Sequence, residues 1–220
     1  MYFAEALLTE DLTPLRQRLL FHQLWERIEA GTLEKERLRV FALQDWWLVR
    51  EAYHLDALAI ANTVDLEMQE SLIGKLQAKV GAYRLLHTFG EGLGLTKQDF
   101  DTVEPLAGCM ALTNFFYWEL AYGQPEEKLA AVSASEDIFI AICLRIAPAL
   151  MRNYSLTAEQ VAFFTAHEQI AEYVQPLDER ILQRYEQPEQ RRRITRAIRL
   201  SHEFEALFYD TIIQYPLVKR

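Results

Sequence analysis

Between Thr32 and Asn62 the chain runs without a single glycine or proline, and the apolar residues in that stretch recur on most sides around Phe41 to Leu48. A segment of that length cannot be a strand, and only a long helix keeps its backbone groups paired without a turn. Only eight glycines occur in the whole sequence, and half of its residues are hydrophobic. A sheet protein of this size would need turn residues far more often. The fold class expected is therefore all-α, in a single domain spanning residues 1–220, because no Gly/Ser/Pro-rich linker or change of composition divides the chain.

Start and stop signals divide the sequence into about seven helices. Thr13-Pro14 and Gly31 bracket a first helix over 14 to 30. Thr32 is read as the cap of the second, which ends near Asn62-Thr63. Asp65 opens a third that carries Gly74 and Gly81 and ends at Gly92-Leu93-Gly94, with Thr96 as the next cap. A fourth covers about 105 to 122. A fifth covers about 125 to 152 and is bent near its end by Pro148. Thr157 and Gln160 stand in capping-box register for a sixth, which Pro176 should kink. The last opens at Pro188 and stops before Pro216. No repeat or low-complexity segment interrupts this order.

The formal charge of −9 carries no long basic stripe. Phosphate neutralisation supplies most nucleic-acid affinity, so no nucleic acid is expected as a partner. Arg191, Arg192, Arg193, Arg196 and Arg199 are interleaved with acids and read as a solvated helix face. No apolar run reaches the length of a membrane span, so no membrane is expected either. Cys109 and Cys143 sit in apolar segments as reduced thiols would, which points to a cytoplasmic location.

Helical spacing places several polar side chains on apolar stripes: His22 with Leu15, Leu19 and Trp25; Asp45 with Phe41, Leu48 and Val49; Glu136 with Val132, Ile140 and Cys143; His167 with Phe163, Phe164 and Ile170. Burying carboxylates and imidazoles is costly without partners, so these residues predict either a polar centre inside the bundle or separately satisfied core groups. Glu205, with Phe208, Tyr209 and Ile212 on the last helix, is a fifth candidate. Its plainer reading is an exposed acid near Arg199 and His202. Glu51 and His54 share a face, but a second such pair is missing, and a surface pair is the reading adopted.

The order and spacing of several short motifs resemble the TenA, PqqC and CADD-like proteins of the heme-oxygenase-like superfamily. These motifs are His22-Gln23-Leu24-Trp25 through Gly31-Thr32-Leu33, Gln44-Asp45-Trp46, Phe89-Gly90-Glu91-Gly92-Leu93-Gly94-Leu95, Glu136 to Phe139, Asn153-Tyr154-Ser155-Leu156-Thr157, Phe163-Phe164-Thr165-Ala166-His167 and Glu205-Ala206-Leu207-Phe208-Tyr209-Asp210. The resemblance implies a heme-oxygenase-like helical bundle that encloses a small-molecule ligand and assembles as a homodimer. The helix face carrying Phe115, Phe116, Tyr117 and Trp118 is compatible with such self-association.

The resemblance implies three readings. In the leading one, a PqqC/CADD-like protein binds an aromatic or heterocyclic metabolite as an oxidoreductase without a complete di-metal centre. His22, Glu136 and His167 are then the catalytic groups, and Asp45, Trp46, Trp47, Tyr53, Glu205 and Tyr209 bind the substrate. Iron or manganese would have only Glu136 and His167 as ligands, because Ala171 and Val174 stand where the pattern calls for aspartate and histidine. No complete metal centre is therefore expected, iron or manganese being open only as a weak or single-metal site. The alternative is a TenA-type aminopyrimidine-binding or thiamin-salvage protein. There Asp45 would bind the pyrimidine, Glu205 would be the C-terminal glutamate, and Ser135 would stand in place of the nucleophilic cysteine, with no evident partner base. The third reading is a catalytically inactive family member that binds a partner.

Overall fold

The computed structural model describes residues 12–167 and 175–217. Among the described residues every regular element is helical, in eleven segments. They are α1 (Leu12–Leu20), α2 (Gln23–Glu29), α3 (Lys35–Ala61), α4 (Leu66–Ala78), α5 (Ala82–Gly92), α6 (Lys97–Thr102), α7 (Ala107–Tyr122), α8 (Pro125–Tyr154), α9 (Ala162–Thr165), α10 (Gln175–Gln183) and α11 (Pro188–Gln214).

The long helices fall where the sequence places them, and the excess over seven comes from breaks that periodicity does not register. The expected first helix is broken at Phe21-His22. There His22 takes an extended conformation and its ring accepts the Leu24 amide as the N-cap of α2. The expected third helix is broken at Gly81, whose φ of +89° is a left-handed turn that an L-residue would adopt only with strain. Glu34 rather than Thr32 precedes α3. Thr157 and Gln160 exchange their box hydrogen bonds, but they lead into a turn and the short α9. Pro176 is the second residue of α10, and the segment before it, where the expected kink would fall, lies outside the described residues. Pro148 does lie inside α8, and Pro125 and Pro188 open α8 and α11.

The core is built around α8 and α11. Helix α11 packs along α8 and α7, α3 lies against α7, α4 and α5, and α1 and α2 close the far side. Trp25, Phe41 and Tyr209 meet edge to face within this core, at centroid separations of 5.4 and 4.7 Å from Trp25. Each such pair contributes roughly 0.5–1.5 kcal/mol beyond area burial, and here they fix the direction of the Tyr209 ring. Phe115 and Phe116 also belong to the core. Exposure on that helix falls instead on Trp118 and Tyr122, which corrects the expectation of an exposed phenylalanine face. Among the described residues no helix is long and apolar enough to cross a membrane.

Candidate functional site

Helices α3, α5, α7, α8, α9 and α11 line a cavity of about 160 Å³. A cavity of about 150 Å³ accommodates one benzene ring, so this one suits a single six-membered ring better than a fused ring system. Its walls are apolar, with Leu48, Leu112, Phe116, Phe139 and Ile140 among them, and its polar groups gather in two places.

The first group is formed by Asp45, Ser135, Glu205 and Tyr209. The Tyr209 hydroxyl donates to Glu205 Oε1, and Ser135 Oγ donates to Oε2 at 3.1 Å. Trp25, packed on the Tyr209 ring, supports the first of these bonds. Asp45 is buried, and its Oδ2 has no partner among the described residues. Burial pushes its carboxyl up to about 7. Burial likewise pushes Glu205 up to about 8, against the two hydroxyl donors that favour its ionised form, with the nearby Asp45 charge adding to the rise. Cys143 is buried near the same carboxyls, and burial raises its thiol.

The second group is an ion network. Lys75 donates to Glu136 Oε2 and lies 2.7 Å from Asp178 Oδ2. Lys79 Nζ contacts both Asp56 oxygens at 3.0 and 3.1 Å and lies 3.0 Å from Glu136 Oε1, at an angle that leaves Oε1 without a hydrogen-bond donor. Asp178 is further held by the hydroxyls of Ser71 and Ser133. Burial alone would raise Glu136, but the two ammonium groups outweigh it and hold the carboxyl at about 2. Beside this network His167 places Nδ1 2.7 Å from the Phe163 carbonyl. That carbonyl can only accept, so Nδ1 carries the hydrogen and Nε2 is left as an acceptor. Burial lowers the His167 pKa and favours this neutral ring.

Of the residues expected to form the site, Asp45, Tyr53, Glu136, His167, Glu205 and Tyr209 line this cavity, and His22, Trp46 and Trp47 do not. His22 is buried, but both ring nitrogens are used elsewhere: Nδ1 caps α2, and Nε2 lies 3.1 Å from Asp210. Trp46 packs edge-on against His87 and Phe100, and Trp47 lies under the Arg50 guanidinium at 3.9 Å. Successive helix positions turn by about 100°, so with Asp45 facing the cavity the next two residues, Trp46 and Trp47, turn away from it. Tyr53 uses its hydroxyl to bridge the Gly81 amide and the Lys79 carbonyl, fixing the break between α4 and α5.

Sequence reading missed Asp56, Lys75, Lys79 and Asp178, and it missed that Glu205 is the partner of Ser135. A signal for Lys75 existed, since it continues the buried stripe of Met68, Ser71 and Leu72. The iron or manganese implied by the CADD-like resemblance does not fit these residues. Both oxygens of Glu136 already face ammonium groups, and among the described residues no group of three potential ligands could hold a metal ion. Ala171 and Val174 lie outside the described residues.

The titration of these groups predicts how stability varies with pH. Asp45 and Glu205 keep their protons when folded at pH values where the unfolded chain has lost them. Their contribution is full below the ordinary 3.8 and 4.5 and is lost as pH rises toward about 7 and 8. His202, buried with neither ring nitrogen partnered among the described residues and lowered by burial to about 4, acts in the opposite sense: its contribution is present above 6.5 and lost as pH falls. Above 6.5 the raised carboxyls, with Glu119 at about 7 acting in the same sense, set the slope. Calorimetry should show the melting temperature falling as pH rises from about 6.5 to about 8.5, and Glu205→Gln should flatten that slope. A melting temperature that rises over this interval would refute the protonation assigned here.

The helices thus surround a ring-sized cavity that carries an acid–hydroxyl cluster. The family model described as TENA/THI-4/PQQC matches residues 9–215, and the chain belongs to that family. A curated relative from Halalkalibacterium halodurans, an aminopyrimidine aminohydrolase, is 27% identical over 133 residues, a match that covers 60% of this chain and only 59% of that protein. Two crystal structures share the fold. A TenA homologue from Pseudomonas syringae pv. tomato DC3000 aligns over 97% of this chain and 94% of its own, with a TM-score of 0.81 at 14% identity. A heme oxygenase-like domain of unknown function from Shewanella denitrificans aligns over 93% and 90%, with a TM-score of 0.80 at 16% identity. The bundle is thus heme oxygenase-like.

Proposed function

We propose that this chain is a TenA-type enzyme that binds a small aminopyrimidine and hydrolyses a carbon–nitrogen bond of it, releasing ammonia. The observation that carries the reading is the convergence of Asp45, Ser135, Glu205 and Tyr209 on one cavity sized for a single ring. The name of the Halalkalibacterium halodurans relative points the same way. This favours the second of the three readings over the PqqC/CADD-like one, since Glu136 is occupied by lysines and His22 is turned away from the cavity.

In this reading Asp45 Oδ2 meets the amino and ring nitrogens of the pyrimidine, while the apolar walls hold its faces. Glu205 is the base: it takes a proton from a water held by Ser135 Oγ as the C–O bond forms, and returns it to nitrogen as the C–N bond breaks. The balance is an amine and water going to an alcohol and ammonia. A carboxylate that binds its proton up to about 8 is a far stronger base than an exposed one, and Tyr209 keeps it oriented. The same proposal has the chain act as a single-domain homodimer in a reducing cytoplasm, where buried Cys109 and Cys143 stay free thiols.

A panel of 4-aminopyrimidines should raise the melting temperature and release ammonia. Saturation at about 100 times Kd stabilises a fold by about 2.7 kcal/mol, an effect easily measured. Asp45→Asn, which keeps the shape but loses the proton-dependent face, should abolish the shift while the circular dichroism spectrum stays helical. Absence of any shift at millimolar ligand would sink the reading.

A further inference from the structure

His22 lies outside the cavity, yet its contacts converge on the side chain that directs Glu205. Its backbone is extended, and Nδ1 accepts the Leu24 amide at 3.2 Å as the N-cap of α2. Capping alone does not call for an imidazole, since serine, threonine, asparagine and aspartate do it with smaller side chains. What the ring adds is a second nitrogen. Nε2 lies 3.1 Å from Asp210 Oδ1 on α11, and Arg18 of α1 holds Oδ2 of the same residue at 2.6 Å. With Nδ1 accepting, the neutral ring carries its hydrogen on Nε2 and donates it to Asp210. Burial lowers the His22 pKa and the Arg18 charge adds to the fall, against the hydrogen bond and charge of Asp210 and the charge of Glu26. Trp25 follows in the first turn of the helix that His22 caps, and its ring stands edge-on to Tyr209 at 4.7 Å. The imidazole itself lies 5.6 Å from the Tyr209 ring, tilted by 50°. Tyr209 is thus flanked by both rings, and its hydroxyl donates to Glu205 Oε1.

We propose that His22 is a positioning residue for Glu205: by capping α2 through Nδ1 and gripping α11 at Asp210 through Nε2, it fixes the angle at which Tyr209 presents its hydroxyl to the Glu205 carboxyl. The inference rests on the aminopyrimidine reading, in which Glu205 is the base, and gives His22 a part in the reaction without contact with the substrate. A hydrogen bond weakens steeply as its angle closes, so a Tyr209 ring that has lost one anchor loses its hold on Oε1 while the helices stay folded. Misplacing a reacting group by about 1 Å can cost about 10²-fold in rate. The Tyr209 donor also favours the ionised carboxyl, so losing it makes Glu205 keep its proton to higher pH.

His22→Asn separates positioning from capping, because asparagine sets an oxygen where Nδ1 stands and nothing where Nε2 stands. The variant should keep its helical circular dichroism and lower kcat for ammonia release from a 4-aminopyrimidine by about 10- to 100-fold, with KM changed less than about threefold. In a Tyr209→Phe background, where no hydroxyl remains to be aimed, the same substitution should cost no more than about twofold. Carboxyl-carbon NMR, with Glu205 assigned by the loss of its signal in Glu205→Gln, should show Glu205 titrating at higher pH in His22→Asn than in the wild-type protein. That readout does not depend on turnover. Asp210→Ala, which releases the grip from α11 and leaves the cap in place, should reproduce both effects and replaces His22→Asn if that variant does not fold. Wild-type kcat with an unmoved Glu205 titration in either folded variant overturns the proposal, as does a loss of kcat that persists in full in Tyr209→Phe. A wild-type protein that releases no ammonia overturns the aminopyrimidine reading, and the Glu205 titration then decides alone whether His22 positions that carboxyl.

Discussion

Replacing Lys75 with methionine should destabilise the fold by about 3–5 kcal/mol, which would make it one of the most damaging single substitutions available in this chain. Lys75 is 1% exposed and joins three helices: its own α4, α8 through Glu136, and α10 through Asp178. Methionine fills the volume of the stem but leaves Asp178, whose side chain is fully buried, with only the Ser71 and Ser133 hydroxyls to offset its charge. Typical domain stabilities are about 5–15 kcal/mol, so the loss is a large share of the whole. Urea denaturation followed by circular dichroism measures it. The double substitution Lys75→Met with Asp178→Leu should recover a substantial part, because the cost lies in the abandoned charge more than in the lost attraction. By contrast Arg199→Met, which breaks an exposed i,i+4 pair with Glu203, should cost well under about 1 kcal/mol. A Lys75→Met loss as small as that of Arg199→Met would mean that the network contributes nothing to holding α4, α8 and α10 together.

The same residue shows where sequence reading stops. Helix existence is local: the absence of breakers from Thr32 to Asn62, and prolines at Pro125 and Pro188, place α3, α8 and α11 nearly where they lie. The breaks at His22 and Gly81 are local too, but they depend on backbone conformation, and periodicity continues across them. Face assignment succeeded where a single polar residue interrupts an apolar stripe, as with Asp45 and Glu136, while Glu205, for which an exposed position was equally open, is buried. It failed where residue type was taken for orientation, as with the aromatic Trp46 and Trp47, which helical rotation turns away from the cavity. His22 was rightly read as buried, yet burial served helix capping. The least legible part is pairing over distance. Ser135 and Glu205 are 70 positions apart and Lys75 and Glu136 are 61 apart; the packing of α8 against α11 brings the first pair together, and an ion pair reaching from α4 to α8 joins the second.

Substituting Ser135 with cysteine should increase ammonia release by about one to two orders of magnitude, because a thiolate touching the base can displace the amine itself in place of the water that Ser135 holds, and water then hydrolyses the resulting carbon–sulfur bond to the alcohol. Ser135 Oγ lies 3.1 Å from Glu205 Oε2, and a thiol placed there would face a carboxylate that binds its proton up to about 8. An ordinary thiol releases its proton at about 8.5, so the two are matched for proton transfer near neutral pH. The native thiols do not confuse the test. Cys109 and Cys143 are buried, and burial raises both, Cys109 to about 12, so neither should react with iodoacetamide in the folded chain. Mass spectrometry after alkylation should therefore show no label on the wild-type protein and one label on Ser135→Cys. Glu205→Gln in the cysteine background should lower the rate by about 10²–10⁴, the usual contribution of a positioned base. A variant that is labelled at position 135 but gains no activity would show that the substrate does not present its carbon–nitrogen bond to Ser135, and the base assigned to Glu205 would fall with it.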